Sequence, residues 1–383
     1  MITGAISLIS MVAMARYLGP GLFGFSSVVV MILSVGIDVV DFGACSWAGR
    51  ELAKGSLVQS EYLQIMKIKV RTELIFLTFG PVIICLNPTS SPYNLLFLVY
   101  PYLWLRTNYV QQFLMCNSKI EQAMSLQILE RLSWLLIFPF AFLNFNKEIS
   151  YIAPILTGLF LHGFIGSHFM NRTTERDRSN PKLKLRSLYR KSKHFGVTSV
   201  LSDSSNLDSP LIASFSTFAD SASYSLAQRL RNPLQIFFQS FATRLRLVSS
   251  TRNRSQISNL IYAELKFLAL GVFSILCASV LAYLFAPIVF GQEYRQIGLI
   301  MSVGTLTAIP IGISTIGTSF LASVGCDKEV ALWTTILTAL LLLGLIFSVI
   351  NFGSIGAVVF VLIANIISSI VISFYAKRQY SLL

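Results

Sequence analysis

Long apolar stretches separated by short polar segments dominate this chain of 383 residues. Five of these stretches contain no Asp, Glu, Lys or Arg at all, and they cover 17–37, 74–105, 267–292, 296–326 and 330–376. A membrane-spanning helix needs about 20 apolar residues to cross roughly 30 Å of hydrocarbon. The pattern therefore predicts an all-α integral membrane protein with many spans.

We predict about twelve spans, because the longest stretches must hold two helices each. The stretch 330–376 is interrupted by Asn351, Phe352, Gly353 and Ser354, a turn-forming cluster that makes it a tight helical hairpin. The first span is short, since sixteen residues at about 1.5 Å each reach only about 24 Å. Either it starts inside the inner leaflet or part of it precedes residue 1. The predicted spans are about 1–16, 22–45, 70–87, 93–115, 123–144, 149–170, 195–218, 222–243, 265–288, 296–322, 330–350 and 354–376.

One extended polar segment divides the predicted helices into two groups of six. It covers 171–193 and carries nine basic and two acidic residues. We therefore predict an N-terminal six-helix lobe at 1–170, a basic cytoplasmic linker at 171–193 and a C-terminal six-helix lobe at 194–383. Two lobes of equal helix number are typical of secondary transporters.

The basic residues indicate the orientation of these spans. When the spans are threaded, twenty-three of the thirty Lys and Arg residues fall on one side, which the positive-inside rule assigns to the cytoplasm. We therefore predict a multi-pass protein of the cytoplasmic (inner) membrane with both termini in the cytoplasm. The net charge of +13 reflects this topology and does not indicate a nucleic-acid partner, because the charges lie in loops rather than on one soluble face.

Several catalytic and metal-binding patterns are missing from the sequence. It has no phosphate-binding GxxxxGK[ST] loop, no HExxH and no GxSxG element, which argues against ATP hydrolysis and other hydrolytic chemistry. The cysteines lack metal-ligand or disulfide spacing. We predict a protein that is not an enzyme and has no cofactor and no metal. Transport would then draw on an ion gradient, the membrane potential or consumption of the product.

Two motifs in the first half carry a family resemblance. The chain reads Arg16-Tyr17-Leu18-Gly19-Pro20 through Gly24 at the first predicted turn, and it reads Asp41-Phe42-Gly43 and then Arg50-Glu51-Leu52-Ala53 after the second span. In the second half, Asp208, Ala219 to Ala227 and Phe290 to Tyr294 follow the same family pattern. The chain resembles the polysaccharide-biosynthesis flippases, the exporters of O-antigen and other lipid-linked oligosaccharides in the multidrug/oligosaccharidyl-lipid/polysaccharide superfamily.

The resemblance covers the whole chain, and it implies a MATE-like fold and a lipid-linked substrate without naming the sugar. The sequence departs from the usual pattern in its short start and at Ser221-Ala222-Ser223, where a glycine-containing turn is common. The motif residues that the resemblance singles out are Arg16, Gly19, Pro20, Gly24, Asp41, Gly43, Arg50 and Glu51.

Charged residues also fall inside the predicted spans, where they are costly and usually face a bundle interior or a wet cavity. Arg106 and Arg131 lie at nearly equal depth on the fourth and fifth spans, and Glu130 is beside Arg131. Asp208 and Arg231 are matched in the same way on the seventh and eighth spans. Arg229 points to a different face from Arg231, because positions i and i+2 of a helix do not face each other.

We favour a basic pocket between the lobes that contacts a pyrophosphate head group, because the arginine fork matches phosphate oxygens. Its candidate ligands are Arg106, Arg131, Arg229 and Arg231. The alternative is that Glu130 and Asp208 only neutralise arginines as buried interhelical pairs.

Other titratable residues are candidates for coupling or for structure. Asp203 is the better candidate for protonation, whereas Asp41 fits a helix cap or a partner of Arg50. Histidine exchanges a proton near neutral pH, which makes His162 and His168 candidates as well. A lone histidine in a helix, however, is more often a packed polar residue.

The function that we predict is transfer of a polyprenyl-pyrophosphate-linked oligosaccharide across the membrane by alternating access. An O-antigen, capsule or exopolysaccharide repeat unit would be the cargo, and membrane lipids and a glycosyltransferase or polymerase of the same pathway would be partners. A drug or cation antiporter of the MATE type is the first alternative, although it should have an acidic cavity. A polysaccharide polymerase or ligase is the second, although it needs a long outer loop.

Overall fold

A computed structural model describes residues 2–53, 55–73, 75, 92–117, 119–173, 188–190, 192–193, 196–197, 199–200, 204–249, 254–291, 294 and 296–382. Within these ranges the protein is all-α, as predicted, and has no β-strand. Its contacts divide it into two compact units, Met1–Leu207 and Asp208–Leu383. The predicted linker falls mostly outside the described residues, so the boundaries at 171 and 194 stay predictions.

The first unit contains six described α-helices and two short 3-10 segments, Pro92–Val99 and Ser204–Leu207. Helices α5 and α6 form its most extensive described pair, and α4 packs along α6. The ring of Tyr151 on α6 packs against Phe23 and Phe97, with ring centroids 6.0 and 6.2 Å apart. The six helices are α1 (Ile2–Asp41), α2 (Ala44–Ala53), α3 (Gln59–Thr72), α4 (Tyr100–Cys116), α5 (Ile120–Asn144) and α6 (Lys147–Thr173).

The second unit contains seven described α-helices. Its largest described apolar cluster joins Phe241, Leu245, Ile257, Phe320 and Ile372 from four helices. The seven helices are α7 (Asp208–Phe215), α8 (Phe218–Leu234), α9 (Ile236–Ser249), α10 (Arg254–Phe290), α11 (Ile297–Leu306), α12 (Ala308–Ser323) and α13 (Asp327–Leu382).

Six described segments are long and apolar enough to cross a membrane: Ile6–Asp41, Ile120–Asn144, Lys147–Met170, Ser255–Phe290, Ile297–Ser323 and Lys328–Ser381. The last segment has 54 residues, so at about 1.5 Å per residue it is far longer than one crossing requires. Together with the family and fold similarities below, these segments identify a multi-pass membrane protein.

Glycines break the two longest helices. Gly353 has φ 64° and interrupts α13, which confirms the turn predicted at 351–354. Gly19 has φ 74° and interrupts α1, and Pro20 follows it. Glycine adopts this left-handed conformation without a steric penalty, and proline is favoured at the first position of a helix. The Gly-Pro pair of the first motif therefore ends one helical segment and starts the next.

The second motif forms a tight connection between α1 and α2. Phe42 and Gly43 both adopt positive φ, 49° and 66°. The Asp41 carboxylate accepts from the backbone N–H of Cys45 at 3.0 Å and from the Tyr109 hydroxyl at 2.9 Å. Of the two roles that the sequence left open for Asp41, the structure shows the cap, since its side chain accepts from the first turn of α2.

Lys69 of α3 holds the end of α1. Its ammonium donates to the carbonyl oxygens of Val40 and Asp41 at 2.9 and 2.7 Å and lies 3.8 Å from the ring centroid of Tyr189. Its side chain is fully buried. A positive charge at the last carbonyls of a helix is favourable, because these groups lack partners within the helix and carry the negative end of its dipole.

We expect Lys69→Met to lower the melting temperature of the purified protein by roughly 5–10 °C. The substitution removes the charged donor from both carbonyls, and although Val40 keeps its bond from the Tyr189 hydroxyl, an acceptor left without a donor costs about 1–3 kcal/mol. Lys67→Met is the matched control, because Lys67 lies on the same helix and is exposed. Thermal unfolding in detergent measures both variants, and equal melting temperatures would contradict this role.

Candidate functional site

A buried carboxylate joins α5 to α6. Glu130 is 4% exposed and His162 is 1% exposed, and the Glu130 Oε2 atom lies 2.8 Å from His162 Nδ1. The sequence favoured a packed polar residue at His162, and the structure adds its partner. Among the described residues, His162 Nε2 and Glu130 Oε1 have no hydrogen-bond partner. The pair therefore retains two polar atoms without a hydrogen bond among the described residues.

Arg131 is the accessible member of this cluster. Its side chain is 26% exposed, and its Nη2 atom lies 3.6 Å from Glu130 Oε1. The guanidinium also lies 4.0 Å from the ring centroid of Trp134 on the same helix, a cation–π contact. Arg131 and Glu130 are thus neighbours on α5, whereas the interhelical partner of Glu130 is His162. Arg131 keeps a face that a ligand can reach.

Arg106 of α4 packs against α6. Its Nε and Nη2 atoms donate to the Ser167 hydroxyl at 3.2 and 3.1 Å. A Cβ placed at Gly163 would lie 3.5 Å from Arg106 Cδ, and Gly163 directly follows His162. Adjacent residues of α6 thus contact the charged residues of α4 and α5. Arg106 therefore packs on the helix that carries His162, and a shared site with Arg131 stays a prediction.

The second unit places its charged residues differently. Asp208 is 3% exposed, and its Oδ2 atom accepts from the Tyr224 hydroxyl at 2.7 Å. Arg231 Nη1 donates to the Thr307 hydroxyl at 3.3 Å. No ion pair between Asp208 and Arg231 occurs in the described part of the chain. Each residue is hydrogen-bonded to a neutral hydroxyl, and the charge of Arg231 still acts on the Asp208 carboxylate, so the alternative of a neutralising pair stays open.

Arg231 lines a narrow cleft within the second unit. The residues of α8 that line it are three or four positions apart, as residues on one side of a helix are. Arg229 is not among the lining residues and is half-buried on another face. Asp203, the predicted protonation candidate, lies outside the described residues. The cleft is lined by Tyr224, Ala227, Gln228, Arg231, Gly304, Thr307, Val358 and Val361.

A buried hydroxyl cluster fixes α8 beside α7. The Ser209 hydroxyl lies 2.8 Å from that of Ser221 and 2.6 Å from that of Ser225. At the start of α8, the Asp220 carboxylate accepts from Ser354 of α13 at 3.0 Å. Polar contacts of this kind position the Asp208–Tyr224 pair, because α7 carries the first residue and α8 the second.

The remaining motif residues lie away from these clusters. Arg16 is exposed, whereas Gly24 is buried in the second part of α1. Arg50 is exposed on the last turn of α2. The Glu51 carboxylate accepts from the Ser56 hydroxyl at 2.6 Å. In this structure the two motifs shape the turns of the first unit, and Arg106, Arg131 and Arg231 lie elsewhere.

A sequence profile described as "Polysaccharide biosynthesis protein" matches residues 1–245. The chain belongs to this family. The match covers the first unit and the beginning of the second, and it confirms the resemblance carried by the two motifs. No curated protein sequence matches the chain.

Solved structures extend the similarity over the whole chain. An inward-facing multidrug resistance MATE transporter of the MOP superfamily has a TM-score of 0.76 at 14% identity, covering 98% of this chain and 95% of the other. The lipid II flippase MurJ in an inward closed conformation has a TM-score of 0.77 at 16% identity, covering 98% and 86%. The Vibrio cholerae MATE transporter VcmN in its bent form has a TM-score of 0.65 at 16% identity, covering 99% and 94%.

At these identities the solved structures establish the fold. The chain has the MATE-like all-α fold that the resemblance implied. Family and fold together identify a multi-pass membrane protein of the polysaccharide-biosynthesis family with a fold similar to those of MATE transporters and MurJ.

Proposed function

We propose that this protein flips a polyprenyl-pyrophosphate-linked oligosaccharide from the inner to the outer leaflet of the cytoplasmic membrane by alternating access. The observation that carries the proposal is the pair of arginines, Arg106 and Arg231, whose described partners are neutral hydroxyls. Each is a full positive charge inside a span predicted from the sequence. Such charges are costly and mark substrate pathways.

The sign of these charges selects the class of cargo. A diphosphate brings negative charge and oxygen acceptors, and the planar guanidinium can bind two of those oxygens at once. A cationic drug would be repelled by the same groups. The membrane environment strengthens this discrimination, because electrostatic interactions are stronger in a low dielectric.

Neutral polar groups beside the arginines suit an oligosaccharide. Gln228 and Tyr224 line the cleft with Arg231, and Trp134 lies against Arg131. Amide and hydroxyl groups can exchange hydrogen bonds with sugar hydroxyls, since both donate and accept. A head group with adjoining phosphates and sugars would therefore meet arginines for its phosphates and neutral polar side chains for its sugars.

The antiporter alternative draws support from the MATE-type fold and from the buried carboxylates Glu130 and Asp208. Both carboxylates, however, are already bonded to His162 or Tyr224, and the more exposed group is Arg131. The polymerase or ligase alternative is disfavoured by the connection between α5 and α6, which consists of Phe145 and Asn146 alone. Interaction with a glycosyltransferase or polymerase of the pathway stays a prediction.

Deletion of the gene in its host separates the two transporter classes. The flippase predicts that surface glycan is lost and that lipid-linked oligosaccharide accumulates in the inner leaflet, while resistance to cationic drugs is unchanged. Re-expression should restore the glycan. Intact glycan together with new sensitivity to cationic drugs would support the antiporter and refute the proposal.

The topology prediction gives an independent check of orientation. Reporter fusions truncated after Leu383 should show cytoplasmic activity, as should fusions at Lys182, which lies outside the described residues. Fusions at Asn146, between α5 and α6, should show activity on the outer side. Outer-side activity at Leu383 would reverse the assignment of the termini.

A further inference from the structure

We propose that Glu130 and His162 form a proton-binding site in the first unit, and that proton binding there is linked to anion binding at Arg131. The proton site stands on the structure of α5 and α6 alone. The link to an anion rests on the proposed function, because it takes Arg131 as a ligand of the pyrophosphate.

The geometry of the pair supports a shared proton. Glu130 Oε2 and His162 Nδ1 are 2.8 Å apart, a hydrogen-bond distance at which a proton must lie between an acid and a base. Both side chains are at least nine-tenths buried. Histidine gains or loses its proton within the physiological pH range more readily than other side chains. A change in protonation here alters the charge of a buried site by one unit.

Unsatisfied atoms show that the pair has room for a further proton. His162 Nε2 and Glu130 Oε1 are buried and lack a hydrogen-bond partner among the described residues. Buried polar atoms are normally bonded, and an exception calls for a functional or solvent explanation. Trp134 Nε1, one turn along α5 from Glu130, is another buried atom without a hydrogen-bond partner among the described residues.

The link to Arg131 follows from competition for one positive charge. In this structure the Arg131 guanidinium lies 3.6 Å from Glu130 Oε1. A diphosphate bound to Arg131 would bring negative charge beside the same carboxylate, and like charges at short range repel. Adding a proton to the Glu130–His162 pair removes this repulsion. Anion binding therefore favours proton uptake, and by reciprocity proton uptake favours anion binding.

Other charged groups around the pair are few among the described residues. On α4 the nearest is Arg106, bonded to Ser167, and its positive charge adds to the attraction for an anion. On α5 it is Arg131 itself. On α6 His168 is exposed and lies six positions from His162. Helix α1, which also packs on α5, carries Arg16, Asp38 and Asp41.

The charged residues of α1 make their described contacts away from the pair. Arg16 is exposed near the break at Gly19. Asp38 accepts from Ser199 at 3.2 Å and Asp41 from Tyr109 at 2.9 Å, at the other end of the second part of α1. No second carboxylate is bonded to Glu130 or His162 within the described ranges.

The first arm of the test needs no anion. Infrared difference spectra of the purified full-length protein are recorded between about pH 5 and 8, where histidine titrates. We expect a carboxyl and imidazole signal in the wild type that disappears in both Glu130→Gln and His162→Gln. Glu121→Gln, at an exposed position of the same helix, should keep the signal. Spectra identical in all four proteins would overturn the proton site.

The second arm adds inorganic pyrophosphate as the probe. Calorimetry in buffers of different ionisation enthalpy measures protons taken up per pyrophosphate bound. We expect the wild type to take up more protons per pyrophosphate than either variant. We also expect that lowering the pH raises its affinity for pyrophosphate by a factor about fivefold or more larger than in the variants. The comparison cancels the titration of pyrophosphate itself.

The two arms separate the proton site from the proposed function. A pH-dependent infrared signal without any pyrophosphate binding would leave the proton site standing and would overturn both the link and the role of Arg131. Pyrophosphate binding with equal proton uptake in wild type and variants would overturn the link alone. A variant that fails to fold is recognised by its melting curve, and the second variant then decides.

Discussion

Replacing Arg106, Arg131 or Arg231 by Gln is expected to slow export of the lipid-linked oligosaccharide by about 10- to 100-fold, with the protein present at near-normal levels in the membrane. Each substitution removes a charge-assisted contact to phosphate, worth roughly 1.5–3 kcal/mol. Gln keeps a polar group for the Ser167 or Thr307 hydroxyl, so the local packing is retained. Inner-leaflet accumulation of the oligosaccharide and immunoblots of the membrane fraction measure the two effects.

Exposed arginines supply the matched controls. Arg71→Gln in the first unit and Arg378→Gln in the second remove the same charge at exposed positions and should export normally. If the three cavity arginines are only structural, the damage should appear as lower abundance. Normal surface glycan in all three variants, or loss of the protein in all three, would contradict substrate contact.

Gly158→Ala is expected to produce a large packing defect between α5 and α6. A Cβ at this position would lie 2.5 Å from Trp134 Nε1 and 2.8 Å from the backbone oxygen of Glu130. The backbone oxygen cannot move aside as a flexible side chain can, so α5 must shift away from α6. Overpacking costs typically 1–3 kcal/mol, and here it also displaces the Glu130–His162 pair. We expect a lower melting temperature together with reduced export.

The control for this substitution is Gly21→Ala. No atom lies within 4 Å of the position that its Cβ would occupy, so the same change of side chain should leave both measurements near the wild-type values. Thermal unfolding in detergent measures the melting temperature of both variants, and the export assay measures their activity. Equal melting temperatures for the two variants would show that the close approach of α5 and α6 tolerates a side chain.

The sequence predicted the features that depend on local chemistry. The turn at Gly353 follows from a cluster of turn-forming residues between two apolar runs, and the structure confirms it. A cap was one of the two roles that the sequence left open for Asp41, and the structure forms it at the start of α2. The all-α membrane class follows from the length of the uncharged stretches. Each of these depends on neighbours in the sequence.

Partners between helices could not be predicted in the same way. The sequence matched Asp208 with Arg231 by depth, but the structure bonds Asp208 to Tyr224 and Arg231 to Thr307. Depth along a helix is fixed by counting residues, whereas the direction of a side chain depends on the rotation of each helix against its neighbours.

The same limit applies to the ion clusters of the first unit. His162 is one helix away from Glu130, and no local pattern in the sequence pairs them. Lys69 counts among the basic residues of the inner side, and only the fold shows that its ammonium is buried at the end of α1. A helical period shows which face carries a residue, but it does not identify what the neighbouring helix places opposite.

Flipping by the purified protein in liposomes tests whether it moves lipid-linked oligosaccharide between leaflets. Lipid-linked oligosaccharide is placed in both leaflets, and the fraction reached by an enzyme outside the vesicles is followed over time. The account predicts rapid movement with the wild type, slow movement with Arg131→Gln and Arg231→Gln, and none of a cationic dye with any of them. Transport of the dye by the wild type, with no movement of the oligosaccharide, would contradict it.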